Sequence, residues 1–173
     1  MLNRYTLAGL GVLFVLAVLF LLHTNEEEKI LQRLEQLRAL TEITSPETGI
    51  EPLAKAGQIG RFFSEQTVFD LTNAGYGMIE IASGDELVQR VVRGRARLAS
   101  LELALRDAQV SIEGDTAEVR LKGSGLGLIK GEQDRFLEIH TVAVRLRKEA
   151  DAWLITGATH LRDERQPSPG RPD

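Results

Sequence analysis

The chain has 173 residues, 21 Lys+Arg against 25 Asp+Glu and no cysteine. That length accommodates one core of ordinary size with a tail or two. The net charge of -4 removes the basic excess that nucleic-acid binding needs, so no nucleic-acid partner is expected. The absence of cysteine removes disulfides, thiolate metal sites and cysteine nucleophiles.

Tyr5 to Leu22 carries no charged residue, and at about 1.5 Å per residue it reaches roughly 27 Å, close to a hydrocarbon core. The run ends Leu21-Leu22-His23-Thr24-Asn25 without the small-residue pattern of a cleavage site, which predicts an uncleaved anchor behind an N-tail of residues 1–4. A short N-tail with Arg4 predicts a single-pass protein of a bacterial-type inner membrane, the membrane its first partner and its domain extracytoplasmic.

From Glu26 to Ile43, Ile30, Leu31, Leu34, Leu37 and Leu40 recur at helical spacing behind three glutamates favoured by the helix dipole. Ser45-Pro46 through Gly49 break this helix. Pro52 opens a second, running to about Glu65 with Leu53, Ala56, Ile59, Phe62 and Phe63 inward. Thr67 to Leu71 and Tyr76 to Ala82 read as a hairpin turning at Asn73-Ala74-Gly75. Ser83 or Asp85 caps a third helix reaching about Arg97. Leu87, Val88, Val91, Val92 and Leu98 form its apolar face, and Glu86, Arg90, Arg93 and Arg97 its solvated one.

Four long strands follow at Leu101–Glu113, Thr116–Leu128, Arg135–Lys148 and Ala152–Leu161, for which an antiparallel meander is the economical topology. The domain therefore spans 24–162. Residues 163–173, with three prolines in the last seven, predict a disordered tail. The fold class is α+β: three helices on a strongly curved, mostly antiparallel sheet, preceded by one transmembrane helix.

VSIEGDTAEVRL (110 to 121) and VRLRKEADAWLITG (144 to 157) resemble the strand-turn-strand passage and the final hairpin of the nuclear transport factor 2-like (SnoaL-like) superfamily, with Trp153 as the family-like tryptophan. The resemblance covers residues 26 to 162 and implies a cystatin-like cone. The superfamily mixes enzymes, transport receptors and secretion-system scaffolds, so activity has to be argued from side chains. Its enzymes place titratable groups inside the cone, and this chain is short of them. Tyr76 is the one tyrosine beyond the anchor, and Asp70, Asp85 and Asp107 stand at element ends where turn and capping roles are commoner.

Glu138 and His140 share one strand face with Phe136, Val142, Val144 and Leu146, so both can point into the cone as an acid-base pair with Tyr76. The competing reading is that both stand wet at the strand's mouth end. Alternation carried from Trp153 and Ile155 sends His160 to the other face, which removes a Glu138, His140 and His160 metal site; neither metal nor cofactor is expected. Gly123, Gly125 and Gly127 precede no helix and predict a kinked or bulged strand end rather than a phosphate loop.

Arg95 lies at the centre of the third helix's apolar arc, so either its charge is buried and meets an acid, with Asp70, Asp107 and Glu138 as candidates, or the helix ends near Gly94 and the side chain snorkels to water. Arg95, Glu138, His140 and Trp153 are the candidate ligand pocket. Leu137, Ile139, Ala143, Leu154 and Ala158 are the outward set through which a homodimer or a partner protein would dock. These features together favour an anchored binding or assembly module over an enzyme. The alternatives are a small-molecule-binding or enzymatic cone and a scaffold subunit of a secretion or envelope complex.

Overall fold

Three helices and six strands follow the expected order in a computed structural model that describes residues 26–162. The expected anchor at Tyr5–Leu22 and the tail at 163–173 lie outside those residues. Among the described residues, no helix is long and apolar enough to cross a membrane.

Helix α1 runs over 26–41, α2 over Glu51–Gly60 and α3 over Gly84–Arg97. Strand β1 is Phe63–Leu71, β2 Gly77–Ile81, β3 Leu98–Glu113, β4 Thr116–Ile129, β5 Arg135–Glu149 and β6 Ala152–Leu161. They form one sheet in the order β2-β1-β6-β5-β4-β3. Only β1 against β6 is parallel, so the sheet is mixed.

The period-3.6 stripe of α1 lies on the period-2 face of the meander. Ile30 and Leu34 are buried against Ala117, Val119 and Leu121 of β4, Val144 and Leu146 of β5, and Trp153 and Ile155 of β6. Burying these side chains is the main stabilising term of the domain, at about 25 cal/mol per Å² of apolar surface removed from water. Helix α3 is capped by Ser83, whose hydroxyl accepts from the Glu86 N–H; Asp85 sits in the first turn instead. Glu86 pairs with Arg90 along the solvated face at 2.8 Å, as the i,i+4 spacing allows.

The first departure from expectation is at α2. It ends at Gly60, and residues read as its last turn, Phe62 and Phe63, instead lead into β1. Phe63 pairs with Ile155, and the helical spacing of Ile59, Phe62 and Phe63 is outweighed by that pairing. Leu53, expected inward, is exposed, while Ala56 and Ile59 are buried. The hairpin turn is a 3-10 turn, Thr72–Ala74, closed by Gly75 in the left-handed region at φ 85°. Asp70 accepts the Thr72 N–H at 3.1 Å, and its contacts with Thr72 hold its carboxyl below the usual range.

Irregularities bend the sheet in places the glycines do not mark. Strand β4 pairs with β5 without interruption through Gly123, Gly125 and Gly127, so no bulge falls at these glycines in that pairing. The register shifts instead within β3 between Arg106 and Gln109, where Asp107 has φ 55°, and between β5 and β6 at Arg145/Leu146, where Thr156 is the extra residue. Beside that bulge Gly157 passes so close to β1 that a Cβ would lie 2.5 Å from the Val68 carbonyl oxygen.

Candidate active site

The β6 bulge decides which histidines meet. Directly opposed residues of an antiparallel pair share a face, and His160 is opposite Val142, two residues from His140. Continuing the alternation of Trp153 and Ile155 predicted the other face. The extra residue at Thr156 inverts parity after it, which corrects that expectation.

The consequence is a hydrogen-bonded chain on the inner face of the sheet. Glu138 Oε2 lies 3.0 Å from His140 Nε2, and His140 Nδ1 lies 3.1 Å from His160 Nε2. The rings stand edge to face with centroids 5.0 Å apart. Glu138 and His140 are accessible, with side chains 60% and 42% exposed, whereas His160 Nδ1 is shut off from solvent and meets no polar atom of the described residues. The Asn73 side chain donates to the His160 carbonyl at 2.8 Å and ties this end of β6 to the β1–β2 turn.

Beside the chain the β4 backbone is bare. Gly123 is opposite His140, Gly125 opposite Glu138 and Gly127 opposite Phe136. A Cβ at Gly123 would meet only the His140 carbonyl oxygen, at 4.0 Å, the Phe136 ring covers Gly127, and Leu101 and Leu103 of β3 border Gly125. A strip of backbone flanked by aliphatic and aromatic side chains thus adjoins an accessible carboxylate and imidazole. Such a carboxylate and imidazole can exchange a proton with a molecule that reaches them.

The other expected pocket residues do not come to this place. Arg95 is 5% exposed and reaches the C-terminus of α1. Its Nη1 donates to the carbonyls of Leu40 and Thr41 and its Nη2 to that of Glu42, while Nε and Nη2 both engage the Glu47 carboxylate. The acid that meets Arg95 is therefore Glu47, not Asp70, Asp107 or Glu138. The Arg95 guanidinium, with Lys55 at 3.0 Å, holds the Glu47 carboxyl below its usual range. Trp153 is buried in the core at the far end of the β5–β6 hairpin, opposite Lys148. Ten residues of strand separate Lys148 from Glu138, roughly 33 Å. Tyr76 is exposed just before β2, three strands from β5 in the sheet order.

Of the outward set, Leu137 and Ile139 are 63% and 65% exposed, Leu154 is half-buried and Ala143 is buried. Ala158, past the bulge, faces inward and packs on the core. Among the described residues no three His, Asp or Glu side chains are placed to hold a metal.

No protein-family model and no curated relative matches the sequence. Solved structures do. A Kribbella flavida protein superposes with TM-score 0.66 at 11% identity over 80% of this chain and 90% of its own. The fold is the nuclear transport factor 2-like, cystatin-like one. A dehydratase candidate described as belonging to that family, from Streptomyces avermitilis, gives TM-score 0.61 at 12% identity over 81% of this chain and 99% of its own. Hexachlorocyclohexane dehydrochlorinase from Novosphingobium barchaimii gives 0.57 at 11% over 80% and 87%. At these identities the nuclear transport factor 2-like likeness carries the architecture, and the chemistry rests on the side chains above.

Proposed function

We propose that this nuclear transport factor 2-like domain is a small-molecule enzyme of the acid-base type, with Glu138 and His140 as the groups that handle the proton and His160 behind them. The observation that supports it is the Glu138–His140–His160 chain, which joins two accessible groups to a half-buried histidine whose Nδ1 is shut off from solvent, beside the bare glycine strip of β4. The similar structures favour the same class, since dehydration and dehydrochlorination both remove a proton and a leaving group. Attachment to a membrane through Tyr5–Leu22 is a separate proposal that rests on the sequence. The test is turnover of a panel of β-hydroxy carbonyl compounds and of nitrobenzisoxazole, a general probe for a positioned base. Glu138→Gln is expected to lower the rate by about 10²- to 10⁴-fold. A panel without turnover, or a variant as fast as the parent, would overturn the reading.

The outer face of the sheet supports a second proposal, association with another copy of this chain. Leu137 and Ile139 share that face with Arg145 and Arg147, which lie roughly 20 Å further along β5 and line a groove of about 730 Å³ with Glu113, Glu118 and Arg120. A two-fold axis would bring the apolar pair of one copy onto that of the other, with the charged groove toward the opposite end of the strand. Sedimentation at tens of micromolar, above a typical interface constant of about 1 µM, should show a dimer that Ile139→Lys converts to monomer. Monomers in both cases would dismiss it.

A further inference from the structure

The two histidines form a chain with a direction, and we infer that Glu138 sets it: both rings carry their proton on Nε2, and His160 Nδ1 is the bare end. This deepens the acid-base reading and rests on it. An ionised carboxylate only accepts, so the 3.0 Å contact requires a proton on His140 Nε2. In a neutral ring the other nitrogen is then an acceptor, so the 3.1 Å contact requires a proton on His160 Nε2. None is left for His160 Nδ1, the buried atom that no polar atom of the described residues meets. The opposite direction would aim the His140 Nε2 lone pair at the carboxylate and bury an unpaired N–H at His160, both unfavourable.

Direction assigns the roles. Glu138 is the accessible, proton-poor end and acts as the base. His140 steadies its ionised form through a charge-assisted hydrogen bond, and His160 is a positioning residue that holds the His140 ring and its tautomer. A site of this polarity begins by taking a proton, which selects substrates with a C–H bond acidified by a neighbouring carbonyl and a hydroxyl or halide one carbon further. The C–H proton passes to the Glu138 carboxylate and the C–H electron pair forms the new C=C bond. The C–X bond breaks with its electrons on X: a hydroxyl takes the Glu138 proton and leaves as water, whereas a halide leaves as the anion and Glu138 returns its proton to solvent. The apolar flank of Leu101, Leu103 and Phe136 suits the uncharged part of such a molecule.

Ring-nitrogen NMR on the full chain with labelled histidine, at about pH 8 and so above the ordinary imidazole range, reads the direction without a substrate. Both His140 and His160 should show Nε2–H, assigned with His140→Gln and His160→Gln variants. In Glu138→Lys the ammonium donates to His140 Nε2, so both rings should switch to Nδ1–H. A wild-type His160 protonated on Nδ1, or a His160 tautomer unmoved in Glu138→Lys, would overturn the inference. Kinetics with nitrobenzisoxazole separate the two levels. His160→Phe, which removes the donor to His140 Nδ1, should lose about 10- to 100-fold, the cost of losing an orienting partner, and His160→Gln, which keeps a donor there, should lose less. Loss of activity in Glu138→Gln together with Nδ1–H at His160 defeats the direction and keeps the acid-base reading. Nε2–H tautomers in a protein with no turnover of any probe defeat the acid-base reading and keep the direction.

Discussion

Arg95→Ala is expected to destabilise the domain by about 3 to 5 kcal/mol, because it strands the Glu47 carboxylate and uncaps α1 at once. The guanidinium of Arg95 takes carbonyls from Leu40, Thr41 and Glu42, acceptors that the end of a helix leaves without intrahelical partners. Its other edge faces Glu47, whose side chain is nearly as buried as its own. A buried pair of this kind adds little against a well-packed apolar substitute, yet loss of one member leaves an uncompensated charge in a poorly solvated site. Adding Glu47→Gln to Arg95→Ala removes that charge, so the double variant should recover part of the single variant's loss. Arg93→Ala, on the exposed face of α3, should change stability by less than about 0.5 kcal/mol. Thermal melts check both. At roughly 2 to 4 °C per kcal/mol for a chain of this size, the Arg95→Ala midpoint should fall by about 10 °C, and equal small shifts for Arg95→Ala and Arg93→Ala would contradict the assignment.

The same arginine shows where the sequence was legible. Its place at the centre of the α3 apolar arc was legible, because a helical wheel needs only the 3.6 period, and the structure decides between burial and snorkelling by burying it. Its partner does not follow, since Glu47 is 48 residues away in the segment between α1 and α2, where no periodicity operates. The long strands were legible because alternation and turns agree: Gly114 stands at φ 60° between β3 and β4, and Ala150 and Asp151 adopt positive φ between β5 and β6. Alternation fails wherever a bulge inserts a residue. That failure hid His160 from the inner face and exchanged the sides of Ala158, since nothing in ITGATH marks Thr156 as the extra residue. The glycine strip was recoverable: a β4–β5 loop centred near Gly131 and Glu132 sets Gly125 against Glu138 and Gly123 against His140. In that register, alternate glycines are space beside a polar pair.

Trp153→Ala should cost about 3 to 5 kcal/mol, the range for deleting a large buried aromatic. Trp153→Phe should cost less and expose a second role. The indole N–H donates to Glu26 at 2.8 Å, and the same side chain receives Lys29 at 2.8 Å and Lys148 at 3.0 Å. These contacts, led by Lys29, lower the Glu26 carboxyl from its ordinary 4.5 to about 2 and fasten the first turn of α1 to the β5–β6 hairpin. A depressed carboxyl contributes stability that is complete above its unfolded value and disappears as pH falls through the folded one. The difference in stability between the parent and Glu26→Gln should therefore be constant from about pH 6 upward and shrink between 4.5 and about 2. In Trp153→Phe the carboxyl loses one donor, its value rises toward the ordinary one, and the shrinkage is confined to a narrower acid window. Urea titrations of the parent, Glu26→Gln and Trp153→Phe across that range decide it, because parallel curves for parent and Glu26→Gln would mean that Glu26 does not join α1 to the hairpin.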